Sequence, residues 1–258
     1  MGERSLPETC YPSAAPRADV WLWIGHAVYR GPSLRLDHHS GSVHCLAVGV
    51  DAPFTLHADS FGQRTVRSAL IPPRTLHQVV AQGTRMLFCY IDPGSPRAHS
   101  CWDHMTARVH EFGIDHNRET ALIGLADRDC LDPTEVMDLA CGPGQISLDP
   151  RIAAATAIVR AHATGTITAD QLAGEVNLSK SRLLHLFADH AGTTFRRYRI
   201  WARMLAVGRA VAKGTDLTTA AADGGFASPS HFSDTFHAMC GLNASDLLGA
   251  GARITVLD

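Results

Sequence analysis

The sequence predicts an α+β chain of two domains, a small β-barrel or sandwich followed by an all-helical region. Three observations predict it. Short apolar runs closed by Gly, Pro and Asp fill residues 20–93, helical spacing of apolar residues takes over after Asp149, and two stretches of that second half, Gln171 to Gly192 and Ala220 to Gly241, write one pattern twice. A length of 258 residues accommodates two ordinary domains, and 45% apolar content is enough for packed cores.

The strand-like runs are VWLWIGHAVYRG, SVHCLAVGV, DAPFTLHADS, TVRSALIPPR, HQVVAQG and RMLFCYIDPG, each short and bounded by turn residues. Beyond Ser95, WDHMTARVHEFG, ETALIGLADR and PTEVMDLACG space their apolar residues three and four apart and read as short helices. Pro143, Gly144 and Pro150 mark the boundary to the helical domain. Asp149 then caps a helix opened by Pro150, with Ile152, Ala155, Ile158, Val159 and His162 at helical spacing. Thr168 caps a short helix through Glu175; Ser179 caps the next, which Gly192 ends. A longer helix runs from about Thr194 to Ala212 on a stripe of Phe195, Tyr198, Trp201, Leu205 and Val211. The short-helix, turn, helix unit recurs as Leu217 to Asp223, Gly224-Gly225, and Ser228 to Met239, with Phe232 and Phe236 in the places of Leu183 and Phe187. Trp201, Phe226, Phe232 and Phe236 read as core. We place the barrel at 15–95, linker helices at 96–148, and the helical domain at 149–250, with its repeated units at about 168–191 and 217–241.

Two helices joined by a tight turn form a helix-turn-helix, whose second helix enters the major groove of DNA. Charge agrees when split along the chain. The net charge is −2, yet residues 150–258 hold 11 Lys and Arg against 8 Asp and Glu. From Ser179 to Lys213 eight cations face Asp189 alone, a footprint for phosphate. From Gly214 onward Arg253 is the single cation against five acids, so the second unit grips phosphate weakly. Seven scattered cysteines without a Cys-x-x-Cys pair predict reduced thiols, with neither a disulfide framework nor a zinc knuckle. The N-terminal stretch lacks a basic start followed by an apolar run, and no segment is apolar for a membrane's width, so a soluble cytoplasmic protein without membrane contact is expected.

LAGEVNLSKSRLLHLFADHAGTTFRRYRIWARMLAVGRAV together with LTTAAADGGFASPSHFSDTFHAMCGLNASDL resembles the AraC/XylS family of bacterial transcription regulators over about Pro150 to Gly249. The resemblance implies a double helix-turn-helix. It places Ser181, Leu184 and His185 at the base-facing positions of the first recognition helix, with Lys180, Arg182, Arg196 and Arg197 beside them. In the second it implicates Pro229, Ser230, His231, Asp234 and His237. The chain departs from the family where Asp234 and His237 stand in place of the usual Arg or Lys, and where Ala244 replaces a proline. Asp234 is repelled by phosphate but can accept from a cytosine amino group.

The N-terminal region is similar to the cupin-like β-barrel sensor of that family, most clearly in LIPPRTLHQV. The resemblance implies an effector pocket, for which we name Trp21, Trp23, His38, His39, His44, Phe54, His77 and Tyr90 as lining. His38, His39, His44 and His77 are also the candidates for a divalent metal, although the glutamate expected after a cupin histidine pair is missing: no Glu occurs between Glu8 and Glu111. The sequence establishes no cofactor; a divalent metal, a small organic effector in the barrel, and an unliganded, purely dimerising barrel stand as alternatives. Expected partners are double-stranded promoter DNA, RNA polymerase and a second copy of the chain, the linker helices joining the two domains and offering a dimer face. No catalytic motif is present, so no enzymatic activity is expected. Two alternatives stand beside the effector-controlled regulator: a metal-dependent cupin enzyme, and a protein-binding antagonist with weakened DNA contact.

Overall fold

The computed structural model describes residues 17–82, 85–142 and 148–257. The N-terminal stretch with Cys10, and the boundary residues Pro143 and Gly144, lie outside them. The first domain contains strands β1 (Asp19–Trp23), β2 (His26–Pro32), β3 (His44–Gly49), β4 (Phe54–Ala58), β5 (Gly62–Val66), β6 (Ser68–Ile71), β7 (His77–Val80) and β8 (Arg85–Ile91). Helix α1 (Pro96–Asp103), strands β9 (Met105–Val109) and β10 (Phe112–His116), and helices α2 (Glu119–Ala126) and α3 (Pro133–Cys141) follow. The helical domain comprises α4 (Pro150–Ala161), α5 (Ala169–Glu175), α6 (Lys180–Ala191), α7 (Phe195–Ala212), α8 (Leu217–Asp223), α9 (Pro229–Cys240) and α10 (Ala244–Gly249), and strand β11 (Arg253–Val256) comes last.

Eight strands form one sheet in the order β11-β1-β2-β8-β3-β6-β10-β9, and β5-β4-β7 form a second. The large sheet is covered on both faces, which is why β3 and β8 are apolar almost without alternation. On one face Trp21, Val28, Leu46, Leu70, Leu87 and Ile91 pack under α1, α2 and α3. On the other, Tyr29, Ala47, Ile71 and Phe88 meet Phe54, Leu56 and Val79 of the small sheet. The part of that second face left open by the small sheet, Leu22 and Ala27, is covered by Trp201, Met204, Leu205 and Met239 of the helical domain.

Two expectations are corrected. The stretch 102–113 is not a helix: α1 ends at Asp103, and β9 and β10 form an antiparallel hairpin that continues the large sheet beside β6. Period-two burial decides it, because Phe112, Ile114 and His116 are all buried on one strand. Helices α1, α2 and α3 do not stand between the domains either. They cap the outer face of the large sheet. The junction is made directly by α7 on β1 and β11, and the chain's last strand returns to pair in parallel with β1.

Burial sets the chemistry of that junction. Asp92, just after β8, is 1% exposed, and its carboxylate receives hydrogen bonds from Tyr198 Oη of α7 at 2.9 and 3.0 Å and from Arg160 of α4 at 2.6 Å. The Gly94 backbone N–H donates to it at 2.7 Å. Only glycine fits at position 25, since a Cβ there would meet Asp92 Oδ2 at 2.1 Å and φ is +80°. Trp201 Nε1 donates to the Gly25 carbonyl at 2.9 Å. Burial pushes the Asp92 carboxyl above its usual range against the pull of Arg160, and burial also carries the Tyr198 hydroxyl well above its own. Among the described residues no helix is long and apolar enough to cross a membrane.

Tyr198→Phe removes one donor from a buried carboxylate, so the urea midpoint of the full chain should fall by the equivalent of about 1–3 kcal/mol. An unchanged midpoint would show that Arg160 and Gly94 suffice. A second outcome concerns pH. Burial, then the charge of Arg97, holds His26 down to about 3; burial, then His39, does the same to His77, against an ordinary 6.5. The unfolded chain therefore binds protons that the folded one refuses, and stability falls as pH drops from about 6.5 toward the folded values. Asp92, raised, acts in the opposite sense, its contribution being lost as pH rises. His77→Gln should flatten the acid slope of unfolding free energy by up to about 1.4 kcal/mol per pH unit; parallel slopes would disprove a neutral His77.

Candidate nucleic-acid interface and interdomain cavity

Each repeated unit is built from its caps. Thr168 and Gln171 form a capping box at the start of α5, Asn177 turns the chain at φ +55°, and the Ser179 hydroxyl accepts from Arg182 N–H at the start of α6. In the second unit Asp216 caps α8, Gly225 turns at φ +78°, and Ser228 caps α9 with Pro229 in its first turn. Leu183, Leu186 and Phe187 anchor α6 inward. Phe232 and Met239 do so for α9.

The outward face of α6 therefore presents Lys180, Ser181, Arg182, Leu184 and His185, all exposed. Lys180 pairs with Asp170 at 2.8 Å and His185 with Asp189 at 3.2 Å, both at the surface where such pairs exchange readily for phosphate. Leu184, 39% exposed, is an apolar side chain standing outward on the same face. On α9, Pro229, Ser230, His231 and Asp234 are exposed. His231 is committed locally, its Nδ1 facing the Ala227 N–H at 3.2 Å.

The C-terminal half of α9 is turned elsewhere. His237 faces Asp37 of the barrel at 3.0 Å, Ser40 N–H donates to the Ala238 carbonyl, and Asp37 N–H donates to the Gly241 carbonyl. Arg197 points the same way: its guanidinium donates to the carbonyls of Ser40 and Gly41 and to Ser40 Oγ, and burial lowers its pKa. So Arg197 and His237, grouped with the phosphate and base contacts on sequence grounds, hold the loop 37–41 in this structure. Arg199 donates to the Ile167 carbonyl, and Arg203 bridges the carbonyls of Gly165 and Gly225, one from beside each unit. The arginines of α7 mainly tie backbone carbonyls together. Arg196 and Lys213, at opposite ends of α7, remain exposed, as do Lys180 and Arg182 on α6.

The residues named for an effector pocket do not gather. Trp21 and Trp23 pack under the capping helices. Phe54 fills the space between the sheets. His38 is exposed, whereas His39 and His77 stack with ring centroids 4.2 Å apart, each Nδ1 beside a backbone carbonyl. His44 lines a separate cleft with His99, Trp102 and His190; burial lowers it to about 4, and its Nδ1 has no partner. The metal expectation is corrected likewise: among the described residues no three His, Cys, Asp or Glu side chains gather closely enough to hold an ion.

Tyr90 alone of that set reaches an apolar cavity. The cavity, of about 130 Å³, lies between the open part of the large sheet and the helical domain. Val20, Leu22 and Phe88 form one wall, Trp201, Met204 and Phe236 the other. Sequence reasoning missed it because its walls come from segments nearly 200 positions apart, each of which reads as ordinary core. The alternation within β1, Trp21 and Trp23 to one side and Val20 and Leu22 to the other, was the one available signal.

Residues 172–249 match a family model described as a helix-turn-helix domain. The chain also superposes on ToxT from Vibrio cholerae: on the apo protein with a TM-score of 0.60 at 13% identity, covering 88% of this chain and 97% of that one. The agreement with wild-type ToxT bound to an unsaturated fatty acid is 0.56 at 13% identity, over 86% and 94%. With ToxT bound to (E)-4-(8-methylnaphthalen-1-yl)but-3-enoic acid it is 0.55 at 14%, over 87% and 98%. At such identities the likeness shows the shared fold. Comparison with curated proteins by sequence gives no match.

The division of α7 has a measurable consequence. Arg196→Ala should weaken duplex binding and reduce the slope of log affinity against log salt by about 1. Arg197→Ala should leave that slope in place and lower the unfolding midpoint instead. The reverse pattern would mean that the barrel contact of Arg197 gives way to phosphate.

Proposed function

We propose that this chain, which carries an AraC-type helix-turn-helix domain at residues 172–249, is a DNA-binding transcription regulator controlled by a small molecule seated between its two domains. One observation carries the reading: both recognition helices offer exposed N-terminal halves, while the other half of α9 shares a wall with a cavity that the barrel closes. Two such helices on one rigid connector suit successive major-groove segments of a duplex.

The effector acts through that shared wall. Phe236 and Met239 of α9 line the cavity, and the next turn of the same helix is bonded to the loop 37–41. A molecule that fills the cavity favours one seating of α9 on the barrel, and the effect on DNA equals its difference in affinity between seatings. ToxT, whose architecture this chain shares, has been seen with small carboxylic acids bound, which supports an effector-controlled reading. A cupin-type enzyme is disfavoured because, among the described residues, no third metal-ligating side chain joins His39 and His77. RNA polymerase and a second copy are the further partners of a cytoplasmic regulator. The groove between α2 and α3, on the face away from the recognition helices, is the surface on which we place the second copy.

The test is duplex binding by the full chain against fragments selected from its source genome. A retarded complex that dissolves steeply with salt is expected, and Asp234→Arg should tighten non-specific binding while raising the salt slope by about 1. Absence of any retarded fragment at low salt removes the DNA-binding reading. An Asp234→Arg protein indistinguishable from the parent would show that α9 stays off the duplex.

A further inference from the structure

The chemistry of the cavity wall narrows what it holds. None of its lining residues is charged, and its surface is almost wholly hydrocarbon and aromatic. An ionised carboxylate or ammonium entering it would lose its water and meet no opposite charge, a cost that excludes such ligands at ordinary concentrations. The polar atoms are few. The Tyr29 hydroxyl already donates to the Pro32 carbonyl at 2.7 Å. Cys240 contributes a thiol, which burial pushes up to about 12 and so keeps neutral.

Tyr90 is different. It is half-buried at the cavity wall, desolvation keeps its hydroxyl protonated, and no group among the described residues hydrogen-bonds that hydroxyl. The ring sits 5.7 Å from Trp201 and 6.5 Å from Phe88, both of which line the same space. A hydroxyl on an otherwise apolar wall, with no protein partner, is free to donate to a ligand's acceptor.

We propose that the interdomain cavity binds an uncharged, mainly apolar small molecule carrying one hydrogen-bond acceptor, a ketone, ester or alcohol oxygen, which the Tyr90 hydroxyl engages. Its size follows from volume: an apolar cavity of about 150 Å³ takes up benzene, so one of about 130 Å³ suits a compact molecule of roughly six to ten heavy atoms. Val20, Leu22 and Ala27 on one side and Met204 and Leu205 on the other exclude branched polar ligands by leaving each added hydroxyl unpaired. The inference rests on the regulator reading for its consequence, not for its chemistry.

Cyclohexanone, methylcyclohexane and cyclohexanecarboxylate separate the alternatives, being similar in shape and different in polarity. Calorimetric titration of the full chain at about pH 8, where the acid is ionised, should give cyclohexanone an affinity at least about threefold above methylcyclohexane and leave the carboxylate undetected. Tyr90→Phe keeps the ring and should erase the ketone's advantage while leaving the hydrocarbon's affinity in place. Leu247→Trp, which fills the cavity from α10, should abolish both; should that variant fail to fold, Tyr90→Phe decides. Equal affinity for ketone and hydrocarbon, binding of the carboxylate, or no binding of any of the three overturns the proposal. The same preparations report on the regulator reading independently: ketone binding without duplex binding removes the regulator and keeps the ligand class, and duplex binding without ketone binding does the opposite.

Discussion

The carboxylate of Asp92 is the constraint around which the two domains meet. It sits at the end of a central strand, out of reach of water, and its compensation comes from Arg160 and Tyr198 on two helices of the other domain. A charge buried there costs several kcal/mol unless both partners are present in good geometry. The barrel and the helical domain are therefore mutually dependent at this point: neither can move away without exposing or orphaning a charged group. Gly25, forced by the proximity of the same carboxylate, passes the constraint to Trp201 through its carbonyl, and Trp201 forms part of the cavity wall. Ligand cavity and electrostatic tie thus share one helix, α7.

That helix also explains how a basic segment can be partly structural. Eight cations in thirty-odd residues look like a phosphate footprint, but a guanidinium with five donors is equally suited to gathering carbonyl oxygens. Arg197, Arg199 and Arg203 each do so, tying the loop 37–41 and the turns beside both repeated units to one rigid connector. The cations left for phosphate are those that α6 and the ends of α7 carry outward. Arg203 ties Gly165, ahead of the first unit, and Gly225, the turn of the second, to the same helix.

The asymmetry between the repeated units follows from the same arrangement. The first meets the barrel side only at the C-terminal end of α6 and keeps its positive edge exposed; the second carries Asp234 outward and lends its C-terminal turn to the barrel loop. On the proposed reading, a ligand beneath α9 would act on the unit with the fewer outward cations, and a change in its seating would alter total affinity without dismantling the other contact, since linked modules bind with a shared effective concentration.

Local rules in the sequence determined most of the helical domain. Ser, Thr and Asp caps, closing glycines and the stripe of α7 fixed its elements to within a residue or two, since these signals act over one or two turns. The exposed faces of α6 and of the first half of α9 were legible for the same reason. What the sequence could not settle were pairings between distant segments: that Phe112 and Ile114 add a strand beside β6, that the last strand returns to β1, that Arg197 turns inward, and that His39 and His77 meet while no third metal-ligating side chain among the described residues joins them. Each depends on which face of one element another happens to cover, a choice made by long-range packing and desolvation. The cavity belongs to this second class: every residue of its wall reads locally as core, and only the incomplete closure of two domains leaves it empty.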